Sequence, residues 1–232
     1  MTMTSTRLLT DGELAFLNGV DSPTVANAIE RFTIRDRTEG FIGGDVQSVY
    51  PELGSMVGRA LTVTMSNAPG EPAQREGYWR MWEVLDAMEG PVVIVIADAS
   101  GAPERVAYAG EIMSRLAQRL GAVGMVTDGA LRDVDEVREI GFHYFMRFPV
   151  VSHANYEIAS VGEPINIGGQ RIVTGDLLHG DRNGIVVIPW ETLDRLPEEV
   201  DAVRRVERAD MDIIAGDDFT LEKYKSHRGY GS

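Results

Sequence analysis

The chain has 232 residues, a formal net charge of −14 and no cysteine. The lack of cysteine excludes disulfides, a thiolate nucleophile and metal sites built on sulfur, while the strong acidity argues against nucleic acid or anionic lipid as a partner. The four histidines have no close spacing, so a bound metal is expected to be a hard, oxygen-ligated ion such as Mg²⁺ or Mn²⁺.

The N-terminal part of the chain predicts two short helices followed by a loop. The first helix covers residues 10–19. In the second, Ser22 is the expected cap and Pro23 takes the first helical position. Residues 33–56 are rich in Gly, Asp and Arg and show little periodicity, which indicates a loop with a short helix near 46–50.

A strand, a helix and a second strand are predicted next. Residues 58–66 alternate in the manner of a strand, and a helix is expected over 74–88. Residues 92–97 predict the clearest strand, because the run is apolar at every position, as in strands that are buried on both faces.

Residues 110–136 predict a helix, a buried strand and a charged loop in succession. Apolar residues at helical spacing favour a helix over 111–120, with Gly121 as its end. The run 122–127 is too short for another helix and has the apolar character of a buried strand. The loop with Arg132–Asp133 follows, at the edge of the sheet where open α/β proteins place their chemistry.

The remaining chain predicts a β-rich layer and a long charged helix. A short helix is expected over 135–140, a strand over 143–148 and several short strands within 161–189. A long helix is expected over 191–215, and the composition of the tail at 219–232 indicates weak structure.

These elements predict an α/β fold in a single domain, residues 1–232, with helical arms at both termini. The core is expected to span about 20–190, and the C-terminal arm about 191–232. No apolar run approaches about 18 residues, and the N-terminus lacks the pattern of a signal peptide, so we expect a cytoplasmic protein without a membrane partner.

The charged loop and the start of the predicted helix at 111–120 carry the chemistry. Arg132 presents a planar cation suited to carboxylates and enolates, and Asp133 is a hard oxygen ligand, although both could instead form structural ion pairs. Gly110, Ile112 and their neighbours begin a helix, where free N–H groups can hold a carboxylate. Glu111 is either an acid that compensates the helix dipole or an acid–base group of the site.

The spacing of these residues brings them together. Twenty residues separate Glu111 from Arg132, in a G-E-x20-R-D-x2-E pattern that ends at Glu136. An αβ unit places the helix start and the end of the returning strand at one edge of the sheet. This pattern resembles the RraA-like family. Three further segments support the resemblance: SPTVANAIERF, GRALTV and PINIGGQRIVTGDLLHGDRNGIVVIP. That family includes metal-dependent 4-hydroxy-4-methyl-2-oxoglutarate and 4-carboxy-4-hydroxy-2-oxoadipate aldolases, and also regulators of ribonuclease activity.

The resemblance implies a swivelling β/β/α fold and a role for each residue of the pattern. Asp133 would bind the divalent ion, and Arg132 would stabilise the enolate of a pyruvate-like unit. The N–H groups of Ile112 and Met113 would hold the substrate carboxylate, and Glu111 would orient or activate a water.

The family also implies an assembly and a reaction. A glutamate from a neighbouring subunit would complete the site; Glu207 is the candidate, with Glu198 and Glu199 as alternatives. The expected assembly is a homotrimer or a dimer of trimers. The expected activity is that of a class II pyruvate lyase using Mg²⁺ or Mn²⁺, which cleaves a 4-hydroxy-2-oxo acid or decarboxylates oxaloacetate. The alternative is a non-catalytic regulator of ribonuclease activity, which needs no acid at Glu111.

Other residues have simpler interpretations. His143 and His153 are expected to be hydrogen-bonded residues of the fold, and Asp98 and Asp128 to form turns. A methyltransferase is disfavoured because no glycine-rich G-x-G loop follows a strand. The segment at 71–90 departs from the family pattern, and we expect it to shape the distal side of the pocket.

Overall fold

A computed structural model describes residues 7–68, 70 and 76–230. Its α-helices are α1 Asp11–Asn18, α2 Ser22–Glu30, α3 Glu76–Asp86, α4 Glu111–Arg119, α5 Val134–Glu139, α6 Leu196–Ala215 and α7 Leu221–His227. Its strands are β1 Phe41–Ile42, β2 Gln47–Ser48, β3 Met56–Asn67, β4 Val92–Asp98, β5 Ala122–Thr127, β6 Ala130–Leu131, β7 His143–Met146, β8 Phe148–Pro149, β9 Tyr156–Val161, β10 Ile165–Ile167, β11 Gln170–Ile172, β12 Leu177–Asp181 and β13 Gly184–Ile188. None of the helices within these ranges combines the length and the apolar content needed to span a membrane.

The described residues build one large mixed sheet in the order β1-β13-β12-β3-β4-β5-β7-β2. Its centre, β3-β4-β5-β7, is parallel, and β12, β13, β1 and β2 pair antiparallel at the two sides. The long strand β3 also pairs antiparallel with β9 along its second half. The carboxyl ends of the parallel strands therefore meet at one edge, where β9 begins.

The central strands are buried on both faces, as their apolar sequence predicts. In β4, Val92, Ile94 and Ile96 pack in the core that contains residues of α3 and α4. Val93 and Val95 alternate to the opposite face, where they pack against residues of the β10–β11 hairpin. The molecule thus has a helical layer, a central sheet and a smaller β layer, and the predicted mixed α/β fold is confirmed.

A third apolar cluster joins the two ends of the chain. Residues of α1, α2 and the first part of α6 pack together with β12 and β13. The helix predicted over 191–215 is wrong at its start, because a 3-10 turn at Trp190–Thr192 comes first and α6 begins only at Leu196, next to Pro197. The tail holds the helix α7, capped by Thr220, where the composition indicated weak structure.

Two local predictions near the N-terminus are also wrong. The short helix expected at 46–50 is instead the strand β2, which pairs with β7, followed by a 3-10 turn at Pro51–Leu53. The expected cap Ser22 lies inside α2, because the Asp21 carboxylate accepts the Thr24 N–H at 2.9 Å and caps the helix. The first two residues of the helix predicted over 74–88, residues 74 and 75, lie outside the described residues.

Ser22 instead belongs to a buried cluster that fastens α2 to β12. Its hydroxyl lies 2.9 Å from His179 Nδ1, and its N–H donates to Asp181 Oδ2 at 2.8 Å. The other ring nitrogen, His179 Nε2, lies 2.9 Å from the Leu17 carbonyl. Serine, histidine and aspartate also form the catalytic triad of many hydrolases. Ser22, His179 and Asp181 are all buried, however, and each of their polar atoms is used within the fold.

The cluster predicts an acid-sensitive contribution to folding. Burial lowers the pKa of His179 below its usual value. Below about pH 6.5 the unfolded chain takes up this proton more readily than the folded chain, so stability decreases as the pH falls. His179→Ala should lower the free energy of unfolding by about 2–4 kcal/mol at neutral pH. Its stability should also fall less than that of the wild type between about pH 7.5 and 5.5.

Urea denaturation at a series of pH values measures both effects. His153→Ala, at an exposed histidine, is the control for removal of a histidine side chain and should change the free energy of unfolding at neutral pH by less than His179→Ala does. Burial also lowers the pKa of His143, so the free energy of unfolding of His179→Ala should still depend on pH, with a smaller slope than in the wild type. An unchanged slope in His179→Ala would show that His179 does not contribute to the pH dependence of stability.

Candidate active site

A cavity of about 260 Å³ opens at the carboxyl edge of the parallel strands. One part of its wall is the start of α4 with Gly110, Ile112 and Met113, and Arg132–Asp133 lies beside it. Tyr156, which pairs with Asn67 at the carboxyl end of β3, also lines the cavity. The prediction that the helix start and the charged loop meet at one edge of the sheet agrees with this geometry.

Asp133 is held at the start of α4 by a hydrogen bond across the two elements. Its Oδ2 accepts the Glu111 N–H at 2.9 Å. Asp133 precedes α5, but its side chain makes no capping bond to that helix. The residue adopts a left-handed backbone conformation, with φ 57° and ψ 45°, which is uncommon for a residue other than glycine. The contact to α4 therefore takes precedence over ordinary capping of α5.

Gly110 makes this contact sterically feasible. A Cβ atom at Gly110 would lie 2.2 Å from Asp133 Oδ2 and 3.0 Å from both Cγ and Nε of Arg132. The structure shows that the protein's own carboxylate and guanidinium occupy that space.

Arg132 is positioned by its backbone and only loosely paired. Its N–H donates to the Ala109 carbonyl at 3.0 Å. The guanidinium Nε lies 3.8 Å from Asp133 Oδ2, and Nη1 donates to the Val151 carbonyl at 3.4 Å. The contact between Arg132 and Asp133 is thus long for an ion pair, which gives little support to a purely structural role for these two residues. The guanidinium keeps N–H donors for a ligand.

The start of α4 offers two unused backbone donors to the cavity. Within the described ranges, no acceptor lies within hydrogen-bond reach of the Ile112 or Met113 N–H. Ser114 fixes the helix end from below, since its hydroxyl donates to the Gly110 carbonyl at 2.9 Å and lies 2.6 Å from the hydroxyl of buried Tyr144. This rigid end with free N–H groups suits a carboxylate.

The predicted acids are not brought into the cavity of a single chain. Glu111 accepts from Arg115 Nε at 2.8 Å on the outer surface of α4, and it is not among the described residues that line the cavity. Glu207 lies on α6, where Asn27 Nδ2 is 3.5 Å from its Oε1. The alternative Glu199 is bound by Arg31 and Arg195, and the hydrogen bond from Arg31 lowers its pKa. The remaining alternative, Glu198, lies on the first turn of α6.

Tyr78, His153 and Tyr156 line the cavity but were not among the predicted site residues. Tyr78 belongs to the segment 71–90, whose departure from the family pattern signalled a change on the distal side. His153, interpreted as a residue of the fold, has Nδ1 2.6 Å from the Ala154 carbonyl and its ring edge-on to Tyr156. Nothing in the local sequence indicates that Tyr156 reaches this cavity, because strand pairing of β9 with β3 places it there.

Asp98 and Asp128 lie near the site and serve the backbone. Asp98 accepts from the Ser100 and Tyr108 hydroxyls, and its N–H donates to Asp128 Oδ1 at 2.8 Å. Burial raises the pKa of Asp128. These contacts agree with the interpretation of both residues as turn formers.

A metal site would rest on one carboxylate. In the described part of the chain, no three His, Asp or Glu residues cluster as a metal-binding group. Asp133 lines the cavity and is half-buried, and its second carboxylate oxygen has no protein partner among the described residues. Mg²⁺ is commonly held by one or two carboxylates together with water and substrate oxygens. The donor set therefore fits a hard ion that is completed by water and substrate.

A larger cavity, about 440 Å³, lies at the opposite edge of the sheet. It is lined by the starts of the parallel strands and by His143, and no charged side chain is found among its described lining residues. A cavity without a cation or a carboxylate offers little to bind and polarise a small anionic substrate. The smaller cavity at the carboxyl edge is therefore the candidate active site.

The family model RraA-like, described as Aldolase/RraA, matches residues 22–187 of the chain. The chain belongs to the RraA-like family. Over 156 residues it is 30% identical to the 4-hydroxy-4-methyl-2-oxoglutarate aldolase of Thermus thermophilus, with 62% of this chain and 90% of that protein aligned.

A second relative carries the same name provisionally. It is a Halalkalibacterium halodurans protein that is 32% identical over 139 residues, which cover 60% of this chain and 61% of that protein. The alignment therefore spans less than two thirds of this relative. Since the family match ends at residue 187, α6 and α7 lie outside it.

Solved structures confirm the RraA-like fold. An uncharacterised protein from Pseudomonas syringae pv. tomato has a TM-score of 0.72 at 24% identity, covering 97% of both chains. Streptomyces coelicolor RraAS2, described as an unusual member of the RNase ES inhibitor RraA protein family, has a TM-score of 0.67 at 23% identity, covering 91% of this chain and 100% of that one. At these identities the likeness establishes the fold alone.

The contact at Gly110 predicts a cost for any side chain there. Gly110→Ala should lower the free energy of unfolding by about 2–4 kcal/mol, because the new Cβ displaces the Asp133 carboxylate from the Glu111 N–H. Gly12→Ala is the matched control, since a Cβ at this position in α1 meets nothing within 4 Å. The control should be neutral or slightly stabilising.

Urea denaturation of single and double variants measures this coupling. In an Asp133→Ala background, the Gly110→Ala substitution should cost less, because the oxygen that it would displace is gone. If Gly110→Ala lowered the free energy of unfolding equally in the wild type and in Asp133→Ala, the clash could not be assigned to Asp133.

Proposed function

We propose that the protein is a divalent-metal-dependent pyruvate lyase acting on a 4-hydroxy-2-oxo acid. One observation carries the proposal: a single cavity collects two free N–H groups of a helix start, a loosely paired guanidinium and a carboxylate with one unused oxygen. These are the groups needed to bind a 2-oxo carboxylate and to stabilise its enolate. The family and the aldolase names of its relatives point to the same class of reaction.

Substrate binding follows from the shape of the site. The carboxylate of the oxo acid accepts from the N–H groups of Ile112 and Met113. Arg132 donates to the C2 oxygen, where negative charge grows as the reaction proceeds. Because the guanidinium is attached to a backbone that is already fixed by Ala109, little reorganisation is needed during the reaction.

Retro-aldol cleavage breaks the bond between C3 and C4. The C4 hydroxyl loses its proton, a carbonyl forms at C4, and the bonding electrons pass to the C2 oxygen as pyruvate enolate. Arg132 stabilises this oxygen, and C3 is then protonated to give pyruvate. Mg²⁺ or Mn²⁺ at Asp133 would add positive charge at the same place. Loss of CO₂ from oxaloacetate leaves the same enolate, so decarboxylation belongs to the same proposal.

Proton transfer is assigned to Glu111, with a glutamate from a neighbouring subunit. Glu111 is next to the cavity but paired with Arg115, so this role requires that the exposed pair open. Glu207 is the proposed residue of the neighbour. Glu199 is less suitable than Glu207 and Glu198, because two arginines of its own chain bind it.

The proposed assembly is a homotrimer or a dimer of trimers. Only the first half of α6 contributes buried residues, and its second half exposes Val206, Met211 and Ile214. Leu221 of α7 is also 60% exposed. An apolar face of this kind supports contact with another copy of the chain.

The second candidate is a non-catalytic regulator of ribonuclease activity. The pairing of Glu111 with Arg115 favours it, because no free acid of the described chain faces the cavity apart from Asp133. A regulator would bind its partner through the surface and would need neither Arg132 nor a divalent ion.

Pyruvate release separates the two candidates. With Mg²⁺ or Mn²⁺ present, a lactate-dehydrogenase-coupled assay should detect pyruvate from 4-hydroxy-2-oxo acids and oxaloacetate, and EDTA should abolish it. Arg132→Ala should reduce kcat/KM by about 10²-fold or more, because the enolate loses its main protein donor. Arg119→Ala, at an exposed arginine on α4, is the matched control and should retain activity. No metal-dependent pyruvate from any of these acids would rule out the lyase.

Asp133 allows a test of metal binding that is independent of turnover. Asp133→Asn keeps an oxygen acceptor for the Glu111 N–H and a side chain tolerant of the left-handed backbone, but it removes the charge. We expect near wild-type thermal stability and at least a tenfold weaker Mn²⁺ affinity, measured by titration calorimetry. Unchanged Mn²⁺ affinity would move the metal site elsewhere, and a large loss of stability would show that the charge acts mainly in the fold.

A further inference from the structure

Apart from Arg132 and Asp133, the side chains that line the cavity include an aromatic group. Tyr78 of α3, Tyr156 of β9 and His153 form this group, and Met113 of α4 lines the same cavity. Tyr156 donates its hydroxyl to Met113 Sδ at 3.8 Å, and its ring lies 6.3 Å from that of His153. We call these four side chains the distal wall.

The distal wall is fixed by packing. The Tyr78 ring packs edge-to-face on buried Trp82, with ring centres 5.6 Å apart. Directly before it, Gly77 allows α3 to lie against β9, because a Cβ there would be 2.4 Å from the Ile158 carbonyl oxygen. The aromatic surface is therefore a preformed feature of the cavity.

The distal wall lacks a permanent positive charge. Among the described residues that line the cavity, Arg132 is the sole arginine or lysine, and it lies 3.8 Å from the negative Asp133. His153 also lines the cavity; its Nδ1 lies 2.6 Å from the Ala154 carbonyl, which leaves Nε2 as the ring nitrogen available to a ligand. A substrate with a second carboxylate would have to bury this charge against aromatic rings, which is unfavourable without a counter-ion.

The mouth of the cavity continues this apolar character. Ile112, in the first turn of α4, lines the cavity and is 76% exposed. A large apolar side chain at this position favours ligands that bring an apolar group.

We propose that this site takes 4-hydroxy-2-oxo acids whose C4 substituent is aromatic or alkyl instead of a carboxylate. The inference rests on the proposed function, because it names the substrate class of the same site. In the reaction, the C3–C4 bond breaks and the C4 hydroxyl loses its proton. The products are an apolar aldehyde, released from the distal wall, and pyruvate, formed when its enolate is protonated at C3.

The test compares substrates that share the pyruvyl end. We expect kcat/KM for 4-hydroxy-4-phenyl-2-oxobutanoate to exceed that for 4-hydroxy-4-methyl-2-oxoglutarate by at least about tenfold, the scale of discrimination that apolar pockets reach. The small alkyl substrate 4-hydroxy-2-oxopentanoate should lie between the two. A preference for the dicarboxylate would overturn the inference while leaving the lyase reaction established.

A charge placed at the mouth should reverse the preference. Ile112→Arg keeps the backbone N–H and adds a cation at an exposed position, so it should raise relative kcat/KM for the dicarboxylate by about tenfold. Ile34→Arg adds the same charge at an exposed position outside the cavity and should leave the substrate ratio unchanged. A similar shift in both variants would show an effect of net charge and contradict recognition at the distal wall.

Binding without turnover separates this inference from the proposed function. Titration calorimetry with two uncleavable acids, 4-phenyl-2-oxobutanoate and 2-oxoglutarate, should show at least about tenfold tighter binding of the phenyl compound. Tyr156→Ser should remove most of this difference. If no substrate releases pyruvate but the phenyl acid still binds better, the lyase fails and the distal specificity stands. Equal binding, or tighter binding of 2-oxoglutarate, overturns the inference.

Discussion

The hydrogen bond from the Glu111 N–H to Asp133 Oδ2 holds the two halves of the site together. It joins the start of α4 to the loop after β6, two segments that otherwise meet through the backbone contact between Arg132 and Ala109. It uses one helix donor and leaves the next two, on Ile112 and Met113, directed at no protein acceptor in the described chain. It also fixes the carboxylate, so that its second oxygen and the neighbouring guanidinium border the same cavity. Charge, donors and shape at the site all depend on this one contact.

Local sequence was sufficient for the elements that carry this contact. The α4–β5 unit follows from apolar periodicity and from Gly121, and the meeting of Glu111 with Arg132–Asp133 follows from the connection between helix and strand. Short apolar runs separated by turns also predicted the strands after residue 161, and the family resemblance added the roles of the charged residues. Family membership and fold are confirmed, whereas the roles of the site residues stay predictions.

The errors arose where distant parts of the chain decide the local structure. Ser22 has good capping chemistry, but Asp21 is better placed, and the Ser22 hydroxyl is taken by His179, more than 150 positions away. Residues 46–50 show no strand pattern, and pairing with β7 makes β2 extended. Tyr156 and Tyr78 reach the cavity only because β9 pairs with β3 and α3 packs on β9. Periodicity in one segment contains no information about such partners.

The tight packing of α3 against β9 at Gly77 has a consequence for how the family can diversify. Tyr78 and Tyr156 belong to this helix–strand pair, whereas the anion-binding groups belong to α4 and the loop after β6. The Tyr156 hydroxyl contacts Met113 Sδ, and this contact involves neither Arg132 nor Asp133. Natural selection can therefore alter which molecules are accepted without disturbing the groups that stabilise the enolate. Because different residues bind the substrate substituent and stabilise the enolate, proteins with this fold can acquire new substrates while the reaction stays the same.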